Sequence, residues 1–128
     1  MKNKVTPVLR IFDYNKAVEF YIDWLEFKID WKHVFEEGFP LYTQISKDGA
    51  ELHLSEHHGD CSPGAKVLIM CDDIKSYHSL LINKKYKFNK PRLEKAEWAA
   101  DTFTAIDPFG NTLLFFQYDG TAKINFQD

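Results

Sequence analysis

The sequence predicts an α+β fold: two tandem modules, each a strand, a helix and three strands, in one domain over residues 1–128. Three observations predict it. The chain aligns with itself, Val8-Leu9-Arg10-Ile11-Phe12-Asp13 falling on Val67-Leu68-Ile69-Met70-Cys71-Asp72 at a shift of 59 residues. The match continues through Lys16 on Lys75 and Phe27 on Tyr86. With the shift grown to 61, Tyr42-Thr43-Gln44-Ile45 then falls on Phe103-Thr104-Ala105-Ile106, Gly49 on Gly110 and Leu52 on Leu113. Such collinearity marks a duplicated unit. Both halves also open on a short aliphatic run followed by an aspartate and an amphipathic stripe. Both close on alternating segments joined by turn residues.

Module one covers about 5–56, a linker about 57–64 and module two about 65–118. Residues 5–11 and 66–71 are short runs of Val, Leu and Ile, suited to buried strands. Asp13, and Asp72 or Asp73, stand where a helix N-cap is wanted. Ala17, Phe20, Tyr21, Trp24 and Leu25 recur at spacings of three and four, one apolar helical stripe, as do Ile74, Tyr77, Leu80 and Leu81. Strands follow at about 27–34, 40–46 and 50–56, then 86–92, 101–106 and 111–118. Lys47-Asp48-Gly49 and Asp107-Pro108-Phe109-Gly110-Asn111 carry the turns. The polar stretch around His57, His58 and Gly59 has no apolar period and reads as the linker.

Composition excludes several roles. Sixteen basic and nineteen acidic residues leave a net charge of -3 with no basic run, which argues against nucleic-acid binding. No apolar stretch approaches the ~20 residues of a membrane span, and no apolar core follows the basic start as in a signal peptide. Two cysteines, Cys61 and Cys71, fit neither a disulfide scaffold nor a zinc knuckle, so a reduced, cytoplasmic protein is expected. Aromatic residues make up 16% of the chain, which favours an aromatic-lined cavity.

The βαβββ repeat, the opening Pro7-Val8-Leu9-Arg10-Ile11 with Ala17-Val18-Glu19-Phe20-Tyr21, and the closing Asp107-Pro108-Phe109-Gly110-Asn111 hairpin resemble the vicinal oxygen chelate superfamily. Its members include glyoxalase I, extradiol dioxygenases, fosfomycin-modifying enzymes and bleomycin-resistance proteins. The resemblance implies a curved mixed sheet with a concave cleft. In the enzymes that cleft holds one divalent metal on His, Glu or Gln ligands. Carried across, the ligand positions fall on Thr6, His53, Lys66 (or Ala65) and Leu114, of which His53 alone suits a metal. No metal site and no cofactor are therefore expected, and a binding protein is expected in preference to an enzyme. The plain reading of His53 is a histidine hydrogen-bonded across the sheet; ligand contact and acid–base work are the alternatives. His57 and His58 read as solvated, and His33 carries no signal separable from packing.

The bleomycin-resistance members sequester their drug in the clefts of a homodimer without altering it. Such binding needs flat apolar faces for the drug's bithiazole and acidic surface for its cationic tail. Phe39 matches a stacking position of the family and Trp98 lies one residue from a second, with Glu36, Glu37, Glu94 and Glu97 beside them. Tyr42, Phe103 and Phe116 are further ring candidates on strands. Alternation puts Arg10 on the face of Thr6 and Val8, where it would hold an anionic group or pair with a glutamate. The expected ligand set is thus Phe39, Trp98, Tyr42, His53, Arg10, Phe103 and Phe116, with no catalytic residue. A metal-dependent lyase, transferase or dioxygenase with substituted ligands is the alternative.

Overall fold

The computed structural model describes residues 2–34 and 36–121; the rest of the C-terminal tail, residues 122–128, lies outside them. Strand β1 (Val8–Arg10) leads into helix α1 (Tyr14–Ala17), which continues as a π-wound stretch, Val18–Trp24. Strands β2 (Lys28–Val34), β3 (Leu41–Lys47) and β4 (Ala50–Ser55) follow. The second module runs β5 (Lys66–Met70), helix α2 (Ile74–Asn83), β6 (Glu94–Ala96), β7 (Ala100–Ile106) and β8 (Thr112–Tyr118). The strands form two four-stranded sheets, ordered β1-β4-β3-β2 and β5-β8-β7-β6. This is the α+β, tandem βαβββ arrangement that the repeat predicts.

In the first sheet β1 runs parallel to β4, with Val8 opposite His53, while β4, β3 and β2 are successively antiparallel. The β3–β4 hairpin closes on Asp48 (φ 48°) and Gly49 (φ 93°) between the paired Lys47 and Ala50. Two consecutive positive φ values are what a two-residue hairpin turn requires, and Asp-Gly supplies them. The Asp13 side chain caps α1 by accepting from the Lys16 amide at 3.0 Å. The stripe Ala17, Phe20, Tyr21, Trp24 and Leu25 is buried as its spacing predicts, and Leu9, Ile11, Ile45, Leu52 and Leu54 are buried with it. Each large apolar side chain so buried contributes about 1.5–3 kcal/mol. Nothing in the spacing signals the π winding, in which the Leu25 amide reaches back to the Phe20 carbonyl at 3.0 Å.

In the second sheet the Thr112 amide bonds the Ala65 carbonyl and the Cys71 amide bonds the Phe116 carbonyl, so β5 runs parallel to β8. Helix α2 is capped by Asp73, not Asp72, with the Gln117 side chain accepting from the Ile74 amide at 3.0 Å. Two expectations fail here. Leu80 is 40% exposed, so the buried stripe of α2 is Ile74 and Leu81, with Tyr77 edge-on to Phe115. The strand expected at 86–92 is a run of turns and irregular backbone, and the edge strand is the three-residue β6 instead. Pro91 lacks an amide proton for a ladder, and Phe88 is exposed, so this stretch has no apolar face to bury.

By compactness the chain divides into two units. One takes in the chain up to Val67 together with Ile106–Thr112; the other takes Leu68–Ala105 and the chain from Leu113. The division does not follow the repeat, because the last turn of module two belongs to the first unit. There Asp107, 4% exposed, accepts from the Phe109 amide (2.9 Å), the Asn111 amide (2.8 Å), Asn111 Nδ2 (2.8 Å) and the Tyr21 hydroxyl (2.7 Å). Asn111 also donates to the Arg10 carbonyl at 2.8 Å and accepts from the Ala65 amide at 3.1 Å. Burial, then the Asp107 charge and hydrogen bond, hold the Tyr21 hydroxyl well above its ordinary pKa. Among the described residues no helix is long and apolar enough to cross a membrane.

A hydrogen bond to a buried charge is worth about 1.5–3 kcal/mol. Tyr21→Phe should therefore lower unfolding free energy by about 2 kcal/mol in urea denaturation at neutral pH. Asp107→Ala, which strands four donors, should cost more; equal costs would show that the carboxylate is not the centre of the cluster.

Candidate functional site

Alternation along the first sheet sends Leu9, Thr43, Ile45, Leu52 and Leu54 to the core and leaves Arg10, Tyr42, Gln44 and His53 on the opposite face. On β2 the register shifts between Ile29 and Trp31, a bulge at Asp30. Beyond it Trp31 stands opposite Gln44 and His33 opposite Tyr42. A bulge re-aims the side chains that follow, and here it sets an indole beside the Tyr42 ring. The two rings are stacked, centroids 6.0 Å apart at 12°. His53 lies edge-on to both, at 5.3 Å from Trp31 and 5.2 Å from Tyr42.

A hydrogen-bond chain runs beneath these rings. Tyr42 Oη lies 2.7 Å from His53 Nδ1, and His53 Nε2 lies 2.9 Å from Gln44 Oε1. Gln44 Nε2 donates to Asp30 Oδ2 at 2.9 Å, and the Ser46 hydroxyl donates to Asp30 Oδ1 at 3.0 Å. A carboxylate only accepts, so the Gln44 amide must turn its NH2 to Asp30 and its oxygen to His53. In the neutral imidazole His53 then carries its single proton on Nε2, and its bare Nδ1 accepts from the Tyr42 hydroxyl. The Gln44 bond outweighs the rise from desolvation and, with Ser46, Lys28 and Lys4 adding to it, holds the Asp30 carboxyl below the ordinary carboxylate range.

Beside this chain is a cavity of about 450 Å3 lined by Trp31, His33, Tyr42, His57 and Asp60. Asp60 Oδ2 accepts from the Ser55 hydroxyl at 2.6 Å, which fixes the carboxylate at the sheet face. Desolvation, then the charge of Asp60 and of Cys61, raise the Tyr42 hydroxyl above its usual pKa. The Arg10 guanidinium is turned to the carbonyls of Ile11 (2.6 Å) and Ser55 (3.3 Å), and lies 4.5 Å from the Phe12 ring centroid. Among the described residues it meets no glutamate, contrary to one of its two expected roles.

The second unit carries another aromatic group. Trp98, in the turn between β6 and β7, meets Phe116 edge-on at 5.2 Å and Tyr118 at 5.9 Å. The turn is fixed from below: the Asp119 amide bonds the Ala99 carbonyl at 3.0 Å, and Lys95 bridges Asp101 (2.8 Å) and Asp119 (3.2 Å). Thr121, through hydroxyl and amide, and then Lys95, hold the Asp119 carboxyl at about 2.

The expected site residues therefore divide. Tyr42 and His53 share one network; Trp98 and Phe116 share a second cluster; Phe39 stands 52% exposed in the β2–β3 loop. Phe103 is a correction. It is 1% exposed and packed between Tyr77, His78 and Phe115 under α2, because its position on β7 points to the core. His57, expected as solvated, lines the cavity. Trp31, Asp60, Asp30 and Gln44 escape sequence reasoning. The two-residue spacing of Trp31 and His33 was the available signal, but the bulge that gives it a direction is not visible in the sequence.

The donors do not suit the divalent metal of the superfamily's enzymes. Both ring nitrogens of His53 are engaged, and among the described residues no group of three or more His, Cys, Asp or Glu side chains is gathered as for a metal ion. The sequence profile of a family described as Glyoxalase superfamily protein matches residues 1–121. No curated protein matches the chain. Among solved structures, it resembles a bleomycin-binding protein complexed with bleomycin (20% identity, 91% of this chain and 98% of that one, TM-score 0.67). It also resembles TnmS3, an antibiotic binding protein from Streptomyces sp. CB03234 (20% identity, 92% and 97%, TM-score 0.69). A third is a bleomycin resistance determinant encoded on the transposon Tn5 (18% identity, 92% and 99%, TM-score 0.68). At such identities the likeness is one of fold.

The Asp30 anchor has a testable sign. Its folded pKa is lowered, so its contribution to stability is complete above the unfolded value of about 3.9 and is lost as pH falls through the folded one. Gln44→Ala should raise the Asp30 midpoint in an NMR carboxyl titration and flatten the loss of stability between about pH 5 and 2. An unmoved midpoint would mean that Gln44 does not hold the carboxylate.

Proposed function

Because this chain belongs to the glyoxalase superfamily, we propose that it is a metal-independent small-molecule binding protein of the bleomycin-resistance type. It sequesters a drug or similar aromatic ligand in the clefts of a cytoplasmic homodimer. The observation that carries this reading is the state of His53. The one side chain suited to a metal at the family's ligand positions instead spends both nitrogens on Tyr42 and Gln44, beneath stacked aromatic rings and beside a cavity of about 450 Å3. That volume falls in the range of small-molecule sites.

Other features support it. Trp98 and Phe39 are exposed, and Glu36, Glu37, Glu94 and Glu97 are exposed beside them, as a ligand with flat rings and a cationic tail requires. Two structural neighbours are described as binding bleomycin or an antibiotic. Cys61 and Cys71 are both reduced thiols, in keeping with a reducing compartment. Arg10, Tyr42, His53 and Phe116 complete the proposed ligand set; Phe103 leaves it.

The purified protein, with no metal added, should bind bleomycin at one site per subunit and quench tryptophan emission as it saturates. A stacked ring is worth about 1–3 kcal/mol, so Trp98→Ala and Phe39→Ala should each weaken binding roughly five- to hundredfold, and His53→Ala less. Absence of saturable quenching or heat at high micromolar bleomycin would defeat the drug assignment. Loss of an enzymatic activity in His53→Ala that both ring variants retain would replace it with an enzyme. Sedimentation at micromolar concentration should give a dimer; a stable monomer would remove the shared clefts.

A further inference from the structure

The cavity of the first unit has a polarity that its lining alone does not reveal. The carboxylate of Asp30, outside the cavity, fixes the amide of Gln44; that amide fixes the proton of His53 on Nε2; and the bare Nδ1 takes the Tyr42 proton. With its one proton committed, Tyr42 Oη offers the cavity lone pairs only. The charged group of the lining, Asp60, is likewise an acceptor, held in place by the Ser55 hydroxyl. Trp31, stacked beside Tyr42 and 44% exposed, supplies a flat electron-rich face. The Arg10 guanidinium donates to main-chain carbonyls and lies over the Phe12 ring.

The lining histidines, His33 and His57, each bring one acceptor nitrogen beside one donor in the neutral ring and so leave this balance in place. Acceptors and π faces together select donors with positive charge. We infer that this cavity takes a flat, N–H-rich cation, an amidinium or aminoheteroaromatic cation, stacked on Trp31 and Tyr42 and donating to Tyr42 Oη and the Asp60 carboxylate. The inference rests on the small-molecule-binding reading and names the chemistry of one subsite within it. Asp30, Gln44 and His53 are positioning residues here: they set which way Tyr42 points its proton. Their effect is on selectivity between ligands of one shape.

The test uses the full-length protein at pH 8 and three probes of one shape, benzamidine, benzamide and benzoate, followed by calorimetry or NMR titration. Charged hydrogen bonds are worth enough to give about a tenfold preference or more. Benzamidine should bind about tenfold tighter than benzamide, and benzoate should not saturate. Asp60→Asn should weaken benzamidine about tenfold and leave benzamide within about twofold. Asp30→Asn lies outside the cavity and frees the Gln44 amide to turn, so the preference of benzamidine over benzamide should fall several-fold with the fold intact by circular dichroism. A merely structural role for Asp30 would weaken all probes alike.

Benzoate binding as tightly as benzamidine, or an Asp60→Asn protein with an unchanged probe ratio, would overturn the inference. The wild-type series decides the sign even where a variant fails to fold. Bleomycin titrated in parallel separates the two readings. Saturable bleomycin binding without probe discrimination would sink this inference alone. The expected probe order without bleomycin binding would sink the drug reading and leave the cation site standing.

Discussion

The first unit depends on one buried charge. Asp107 is almost sealed from solvent, and a carboxylate in that position is tolerable only if its lone pairs are met. Two main-chain amides, a side-chain amide and a phenol meet them. Because Tyr21 belongs to the helical segment and Asn111 reaches the carbonyl of Arg10 on β1, the same cluster sets where helix and first strand lie. The ladder follows: β1 placed beside β4 brings Val8 opposite His53 and Arg10 opposite Ser55. The polar face of the sheet is arranged on a frame held from its apolar side.

That polar face is organised by direction more than by strength. Single neutral hydrogen bonds contribute modestly to net stability. A chain that begins at a carboxylate, however, has a sense, since each member's donor must face the next member's acceptor. Asp30 gives the chain on this sheet its sense, and the bulge at the same residue swings Trp31 over Tyr42. One irregularity of backbone thus serves both the electrostatics and the stacking of the cavity wall.

Much of the fold was legible in the sequence, for reasons visible residue by residue. The stripe from Ala17 to Leu25 is buried because three- and four-residue spacing has one geometric outcome, and Asp48-Gly49 closes a hairpin because few other pairs accept two positive φ values. The segment 86–92 misled, since its aromatics look strand-like while Pro91 and the charged residues around it leave no ladder to join. The site was legible in part. Tyr42 and His53 could be placed by alternation, but Phe103 could not be assigned a face without the register that puts it under Tyr77. Trp31 and Asp60 depend on a bulge and a loop, whose geometry is settled by partners distant in sequence.

The turn 107–111 also bears on autonomy. It belongs by sequence to the second repeat and by packing to the first unit. A fragment ending in the linker would retain the helical segment with the Tyr21 hydroxyl and the Arg10 carbonyl stripped of their partners, the hydroxyl a buried polar group whose loss of partner costs about 1–3 kcal/mol. The segment inherited by duplication is therefore not a unit of folding. Fragments cut at the linker are complementary pieces, and a permuted chain would have to keep the 107–111 turn covalently or non-covalently available to the first repeat.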